Sequence, residues 1–207
     1  MKGPSTGMNK TFDEFIRTQL MPDTLLVMCG LPATGKSTAA GEIARRRGFP
    51  IVATDAVRRE ILKDEDIFDP AVASNAERRQ RVYDEVFRRA EQSLARSRGA
   101  ILDGTFLTQR LRHRAAGIAA SGGRRFVIME TRCSEKTALR RISERTRENT
   151  LSNALTAQAY FENKSRFEPV DPDALKRAYP GLKIRYVIVD AESDDPEDWR
   201  IVGDLTP

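Results

Sequence analysis

The chain has 207 residues, of which 40% are hydrophobic and 31% are charged, with a formal net charge of +5. This length predicts one domain with a substantial core, and no apolar run reaches the length of a membrane span. The polar residues 1–10 indicate no secretory signal, and the two cysteines, Cys29 and Cys133, lack metal-ligand spacing. We interpret both cysteines as core thiols of a protein in the reducing cytoplasm.

The charge is unevenly distributed along the chain. Residues 190–207 contain seven acidic residues and one basic residue, whereas many of the arginines lie between Arg78 and Arg147. The arginines have two interpretations. They could be solvated helix faces paired with neighbouring glutamates, or a surface that attracts phosphate-rich substrates, nucleic acid included.

The first predicted elements surround a phosphate-binding motif. Residues 11–20 predict a short helix with an apolar side, and residues 25–29 predict a buried parallel strand. Residues 30–37 then match G-x-x-x-x-G-K-[ST], and residues 38–47 predict a helix that ends at Gly48. The motif therefore presents a helix N-terminus to a phosphate group.

Each residue type in this motif has a physical role. The two glycines allow unusual backbone dihedral angles, and successive backbone N–H groups form a concave nest for phosphate. Lys36 is expected to reach the β- and γ-phosphates, and Ser37 to ligate Mg²⁺. We expect ATP as the nucleotide, with GTP as the alternative. The expected nucleotide-binding residues are Gly30, Leu31, Pro32, Ala33, Thr34, Gly35, Lys36, Ser37 and Thr38.

Strands and helices alternate through the rest of the chain. The predicted strands are residues 50–54, 100–103, 125–130 and 183–190, and the predicted helices are residues 55–63, 75–98, 108–120, 134–147, 154–167 and 173–179. Residues 64–74 are predicted to be an irregular connection. The fold class is therefore α/β, a three-layer sandwich with a five-stranded parallel sheet and a helical lid.

The domain organisation follows from these elements. Residues 1–23 are an N-terminal extension with a short helix, residues 24–190 form the domain with its lid at about residues 131–148, and residues 191–207 are an acidic tail that Trp199 docks to the body. The carboxyl ends of the strands bring residues 30–37, Asp55, Asp103 and Arg132 to one edge, where a ligand should bind.

Candidate residues for the acceptor side follow the second and third strands. Asp55 could accept a proton from a substrate hydroxyl, with Arg58 one helical turn further on to hold a phosphate, or Asp55 could be only a helix N-cap. Asp103 could bind Mg²⁺ through water or orient the acceptor, or simply start a turn. The single histidine, His113, is predicted to lie on a helix surface, so a general base should be a carboxylate.

The predicted helix 134–147 carries several arginines. Arg141 and Arg145 are four residues apart and would share one face of that helix. Closing such a helix over the nucleotide would bring arginines to the charge that develops during phosphoryl transfer.

Taken together, these motifs resemble the small P-loop kinases. The matching pieces are residues 30–37, Asp55-x-x-Arg58, residues 102–105 and the arginine-bearing segment 132–145. The resemblance is to the polynucleotide-kinase-like and zeta-toxin-like branches, including stand-alone AAA-type ATP-binding proteins. It implies that Asp55 is the base for a 5′-hydroxyl, that Arg58 contacts the scissile phosphate, and that Arg141 or Arg145 is the lid arginine.

The leading hypothesis is an ATP- and Mg²⁺-dependent kinase that phosphorylates a hydroxyl. Its acceptor would be a 5′-hydroxyl nucleic acid or a nucleotide-like small molecule, with no membrane partner. The alternatives are a nucleotide-dependent ATPase or switch that acts through a partner, and a zeta-type toxin kinase acting on a nucleotide-sugar.

Overall fold

A computed structural model of the chain describes residues 10–150 and 152–207. The first nine residues of the predicted N-terminal extension, and with them nearly all of the stretch searched for a secretory signal, lie outside the described residues. The strands are β1 (Thr24–Cys29), β2 (Ile51–Ala53), β3 (Ala100–Asp103), β4 (Arg125–Arg132), β5 (Ile184–Asp190) and β6 (Arg200–Leu205). The helices are α1 (Phe12–Thr18), α2 (Lys36–Arg47), α3 (Thr54–Ile61), α4 (Pro70–Ser74), α5 (Ala76–Arg96), α6 (Gln109–Ser121), α7 (Glu135–Ser143), α8 (Ala157–Arg166) and α9 (Pro172–Ala178).

The strands form one sheet in the order β2-β3-β1-β4-β5-β6. Strands β1 to β5 are parallel, and β6 pairs antiparallel with β5. The prediction of five strands was therefore one short, because β6 lies in the acidic tail. This strand was missed because it is an edge strand with little apolar signal: Ile201 is buried, but Val202 and Leu205 are exposed.

Two apolar clusters cover the opposite faces of this sheet. Alternate residues of β1 point to opposite faces, as the two-residue period of a strand requires. Leu26 and Met28 pack with α1 and α2, while Leu25 and Val27 pack with α5 and α6. The predicted three-layer arrangement is thus present.

Two predicted boundaries differ from the structure, and each has a local cause. Residues 64–74, expected to be irregular, contain α4, which Asp69 caps by accepting a hydrogen bond from the N–H of Ala71. Helix α7 ends at Ser143 instead of continuing to residue 147. In residues 144–149 the amide of Asn149 bonds with backbone groups of Glu144 and Thr146, which competes with helical hydrogen bonds.

The acidic tail is folded onto the body of the domain. Trp199, only 2% exposed, packs against Phe12 of α1 with ring centroids 5.5 Å apart. The Phe12 N–H donates to the Trp199 carbonyl at 3.0 Å. Trp199 therefore docks the tail, as predicted. Across the described residues, the helices are too short or too polar to cross a lipid bilayer.

Candidate active site

The phosphate loop joins β1 to α2 with a strongly turned backbone. Gly30 and Gly35 have φ values of 131° and 90°, and Ala33 between them has a φ of 62°. Gly35 is the N-cap residue of α2 and has no side chain, so no side-chain hydrogen bond caps this helix. The N-terminal N–H groups of α2 therefore point to a place suited to an anion.

Hydrogen bonds within the protein hold part of the phosphate loop in place. The Thr34 hydroxyl bonds with the Thr131 hydroxyl at 2.9 Å and with the Leu31 carbonyl at 2.9 Å, and the Gly30 N–H donates to the Thr105 carbonyl at 3.3 Å. Three of the expected nucleotide-binding residues, Gly30, Leu31 and Thr34, thus fix the loop conformation. The others line a cavity of about 840 Å³: Pro32, Ala33, Gly35, Lys36, Ser37 and Thr38.

Lys36 is a buried cation at the floor of this cavity. Its side chain donates to the Leu31 carbonyl at 2.5 Å, and the residue is 9% exposed. Burial lowers the pKa of Lys36 to about 8, opposed by the nearby Asp103 carboxylate. Burial also raises the pKa of Asp103, opposed by a hydrogen bond from Ser37 and by the charge of Lys36.

The oxygen ligands beside Lys36 suit a magnesium ion. Ser37 and Asp103 both line the cavity. Thr54 lines it too, and its buried hydroxyl has no hydrogen-bond partner among the described residues. Mg²⁺ prefers one or two protein oxygens together with water and substrate phosphates. The hydroxyl of Ser37 and the carboxylate of Asp103 are oxygen donors of this kind.

Asp55 and Arg58 form an ion pair on the wall next to the loop. Asp55 is the second residue of α3, and the N-cap position is taken by Ala53. The interpretation of Asp55 as only an N-cap is therefore wrong. Arg58 also reaches the Asn153 amide oxygen at 3.4 Å, and both members of the pair line the cavity.

Arg141 and Arg145 both line the cavity, but they do not share a helix face as predicted. Arg141 lies on α7, and its guanidinium donates to the carbonyls of Ala33 and Ala191 at 3.3 and 3.0 Å. Arg145 lies beyond the end of α7 and donates to the Ala154 carbonyl at 3.0 Å. Burial lowers the pKa of Arg145, opposed by the charge of Asp55.

The structure also shows where Arg132 and His113 lie relative to the cavity. Arg132 lies at the end of β4, where it donates to Glu130 at 2.5 Å and to the Tyr186 hydroxyl at 3.2 Å. It does not line the cavity. His113 lies on α6, also outside the cavity, so the structure offers no histidine base among the cavity-lining residues.

Sequence reasoning missed Arg112, which is completely buried. Its guanidinium donates to the carbonyls of Phe106 and Leu107 in the segment after β3, at 3.0 and 3.1 Å. It also donates to the carbonyls of Glu168 and Pro169, at 2.7 and 3.1 Å. Arg112 therefore ties the wall that follows Asp103 to the segment after α8. One arginine among many on a predicted helix gave no signal of this role.

Comparisons with known proteins agree with this fold. The family model described as AAA domain, AAA_33, matches residues 25–170, well over half of the chain. The chain belongs to this family.

A curated relative, the uncharacterized protein Rv2004c of Mycobacterium tuberculosis, is 34% identical over 116 residues, which are 53% of this chain and 23% of that protein. The chain thus matches less than a quarter of the length of this relative. Among solved structures, a sugar kinase from Janibacter sp. HTCC2649 has a TM-score of 0.60 at 16% identity, covering 86% of this chain and 89% of that one. A gluconokinase from Sinorhizobium meliloti has a TM-score of 0.54 at 20% identity, covering 84% and 86%. These two likenesses show that the chain shares the fold of these two solved proteins.

Proposed function

We propose that this member of the AAA_33 family is an ATP- and Mg²⁺-dependent kinase that transfers the γ-phosphate to a hydroxyl acceptor, as polynucleotide kinases do. One observation carries the proposal. Lys36 and Ser37, the residues expected to bind phosphate, line the same cavity as the Asp55–Arg58 pair. A candidate donor site and a candidate proton acceptor therefore share one cavity, which a direct transfer requires.

The donor half would hold the triphosphate through the loop and through Lys36. The N–H groups of residues 33–38 would bind the phosphate oxygens, and the Lys36 ammonium would contact the β- and γ-phosphates. Ser37 and Asp103 would hold Mg²⁺, which neutralises phosphate charge when it is bound. We propose ATP instead of GTP as the phosphate donor, because the kinases that the sequence resembles use ATP.

The acceptor half would use Asp55 to take the proton of the attacking hydroxyl. Because Arg58 is paired with Asp55, it would hold the carboxylate in place and contact the transferring group. Arg145, which lines the same cavity, would add positive charge. The Arg141 guanidinium binds the Ala33 carbonyl, so its contribution would be to position the loop.

The test is phosphate transfer from γ-labelled ATP to a panel of 5′-hydroxyl oligonucleotides, nucleosides, nucleotide-sugars and sugars. We expect Lys36→Ala to abolish transfer and weaken nucleotide binding. Asp55→Ala should lower kcat by about 100-fold or more with nucleotide affinity unchanged, since general-base catalysis contributes that much. Asp173→Ala, an exposed aspartate outside the cavity, is the matched control.

Three outcomes would count against the proposal. If no acceptor becomes labelled while ATP is hydrolysed steadily, an ATPase or a switch that acts through a partner is favoured. Equal loss of nucleotide affinity in the Lys36 and Asp55 variants would remove Asp55 from the acceptor side. Transfer to nucleotide-sugars alone, with growth arrest on expression that Lys36→Ala relieves, would indicate a toxin kinase.

A further inference from the structure

Three of the arginines that line the cavity come from three different helices. Arg58 comes from α3, Arg79 from the first turn of α5, and Arg166 from the last turn of α8. Partial burial lowers the pKa of Arg79, and the positive charges of Arg166 and Arg58 lower it further. All three guanidinium groups belong to residues that line the same cavity.

Arg79 is half-buried in the cavity wall without the carboxylate partners that three other arginines of α5 have, whereas Arg81 and Arg96, which lack such partners too in the part of the chain that the structure describes, are exposed to solvent. Arg78 pairs with Glu65 and Arg88 with Glu85, and Arg89 contacts Glu60 at 2.5 Å and Glu85 at 2.7 Å. Within the described residues, neither Arg79 nor Arg166 has a carboxylate oxygen within 4.0 Å or a side-chain hydrogen bond. Guanidinium groups that are close together and lack counter-charges repel each other, and a bound anion would remove that repulsion.

Resting on the proposed kinase function, we propose that Arg79 and Arg166 form an anion subsite, so that the acceptor carries a phosphate or carboxylate group besides its hydroxyl. The guanidinium fork matches both of these groups through paired N–H donors. The subsite is separate from the loop, where Lys36 and the N–H groups of α2 would take the nucleotide. The anionic end of the acceptor would thereby anchor it while its hydroxyl faces Asp55.

The rest of this wall suits a small hydroxylated molecule. The amides of Gln80, Gln158 and Asn163 line it and can bond with hydroxyl groups. One carboxylate, that of Glu162, also lies there, but it accepts a hydrogen bond from Gln158 at 3.0 Å. A volume of about 840 Å³ lies within the roughly 300–1,000 Å³ range of small-molecule pockets. We therefore infer a small acid or a small phosphorylated compound as the acceptor.

The first experiment measures ADP formation with matched pairs of compounds. Each pair consists of a neutral molecule and its acid, namely a sugar with its aldonate, a sugar with its 6-phosphate, and a nucleoside with its 5′-monophosphate. We expect the anionic member of a productive pair to have the higher kcat/KM by roughly 10- to 100-fold, in line with charged hydrogen bonds. The aldonate and phosphate pairs distinguish the two anions, and an oligonucleotide tests for a polymeric acceptor.

The variants then locate the effect. Arg79→Ala and Arg166→Ala should each raise the acceptor KM by about 10-fold or more and leave the KM for ATP unchanged. Arg79→Lys, which keeps the charge and loses the fork, should fall between wild type and Arg79→Ala. Arg81→Ala removes an exposed arginine from the same helix outside the cavity, and it should behave as wild type.

A binding measurement separates failure of the subsite from failure of the kinase proposal. Thermal melting is recorded with a non-hydrolysable ATP analogue and Mg²⁺ filling the loop, and with gluconate or glucose 6-phosphate added. A rise in Tm in wild type and Arg81→Ala that is lost in Arg79→Ala and Arg166→Ala supports the subsite, even if no compound yields ADP. Equal turnover of neutral and anionic partners, preference for the oligonucleotide, or no Tm rise that depends on Arg79 would overturn it.

Discussion

Replacing Lys36 by methionine should stabilise the protein while weakening nucleotide binding. Lys36 is buried, and its pKa in the folded protein is about 8, compared with 10.5 for an ordinary lysine. Below pH 8 Lys36 is protonated in both the folded and the unfolded state, and its buried charge lowers the free energy of unfolding. Between pH 8 and 10.5 the folded state has released that proton and the unfolded state still holds it, so stability rises with pH.

The size of this effect follows from the pKa difference. Each pKa unit corresponds to about 1.4 kcal/mol, so the whole window is worth about 3 kcal/mol, most of which falls between pH 7 and 10. The unfolding free energy of wild type should gain this amount relative to Lys36→Met over that range. At pH 7 the variant should therefore be the more stable protein by a similar margin.

The assay is urea unfolding of both proteins without nucleotide at pH 7, 8, 9 and 10. The difference between their unfolding free energies is plotted against pH, which removes effects of other titrating groups. Lys63→Met, at an exposed lysine, serves as the control and should show a constant difference. A constant difference for Lys36→Met, or a variant less stable than wild type at pH 7, would refute a charge-burial cost at this position.

Three further predictions concern the loop and the cavity wall. Nucleotide affinity should fall as the pH rises above about 8, because the phosphates bind the protonated form of Lys36. Lys36 should then take up a proton when the nucleotide binds, and calorimetry in two buffers of different ionisation enthalpy should detect this uptake. Arg112→Met should lower the free energy of unfolding by about 3–5 kcal/mol, because four backbone carbonyls lose their buried hydrogen-bond donor. Urea unfolding measures this change. Arg88→Met, at an exposed arginine, is the control and should change the free energy of unfolding by about 1 kcal/mol or less. Gly35→Ala should abolish nucleotide binding measured by calorimetry, because φ is 90° there and the added Cβ would lie 2.7 Å from the Trp199 ring; a variant that binds normally would contradict the loop geometry.

The parts of the fold that sequence predicts well are those with strong local signals. The phosphate loop is predictable because its sequence motif has a fixed spacing between the two glycines of a strand-to-helix turn, and that motif adopts one loop conformation. The alternation of strands and helices was sufficient for the three layers, since most residues of β1, β3, β4 and β5 are apolar or buried. The helix end at Gly48 has the left-handed conformation that a glycine C-cap favours.

The parts that sequence missed depend on contacts between distant segments. Strand β6 has one buried residue, Ile201, so its signal comes from pairing with β5 and not from its own composition. Arg141 and Arg145 were expected on one helix face because spacing alone cannot show where α7 ends. The role of Arg112 arises from carbonyls of residues 168 and 169, more than 50 positions away in the chain.

The packing of Trp199 against Gly35 gives the protein a built-in optical signal. Trp199 is the single tryptophan of the chain, its ring lies beside the phosphate loop, and its Nε1 donates to the Ser193 carbonyl at 2.8 Å. Indole emission responds to changes in local polarity and quenching. A ligand that settles on the loop should therefore alter the fluorescence of unlabelled protein, and a titration of Lys36→Ala should leave it unchanged. Stopped-flow mixing could then time nucleotide arrival before any acceptor is known.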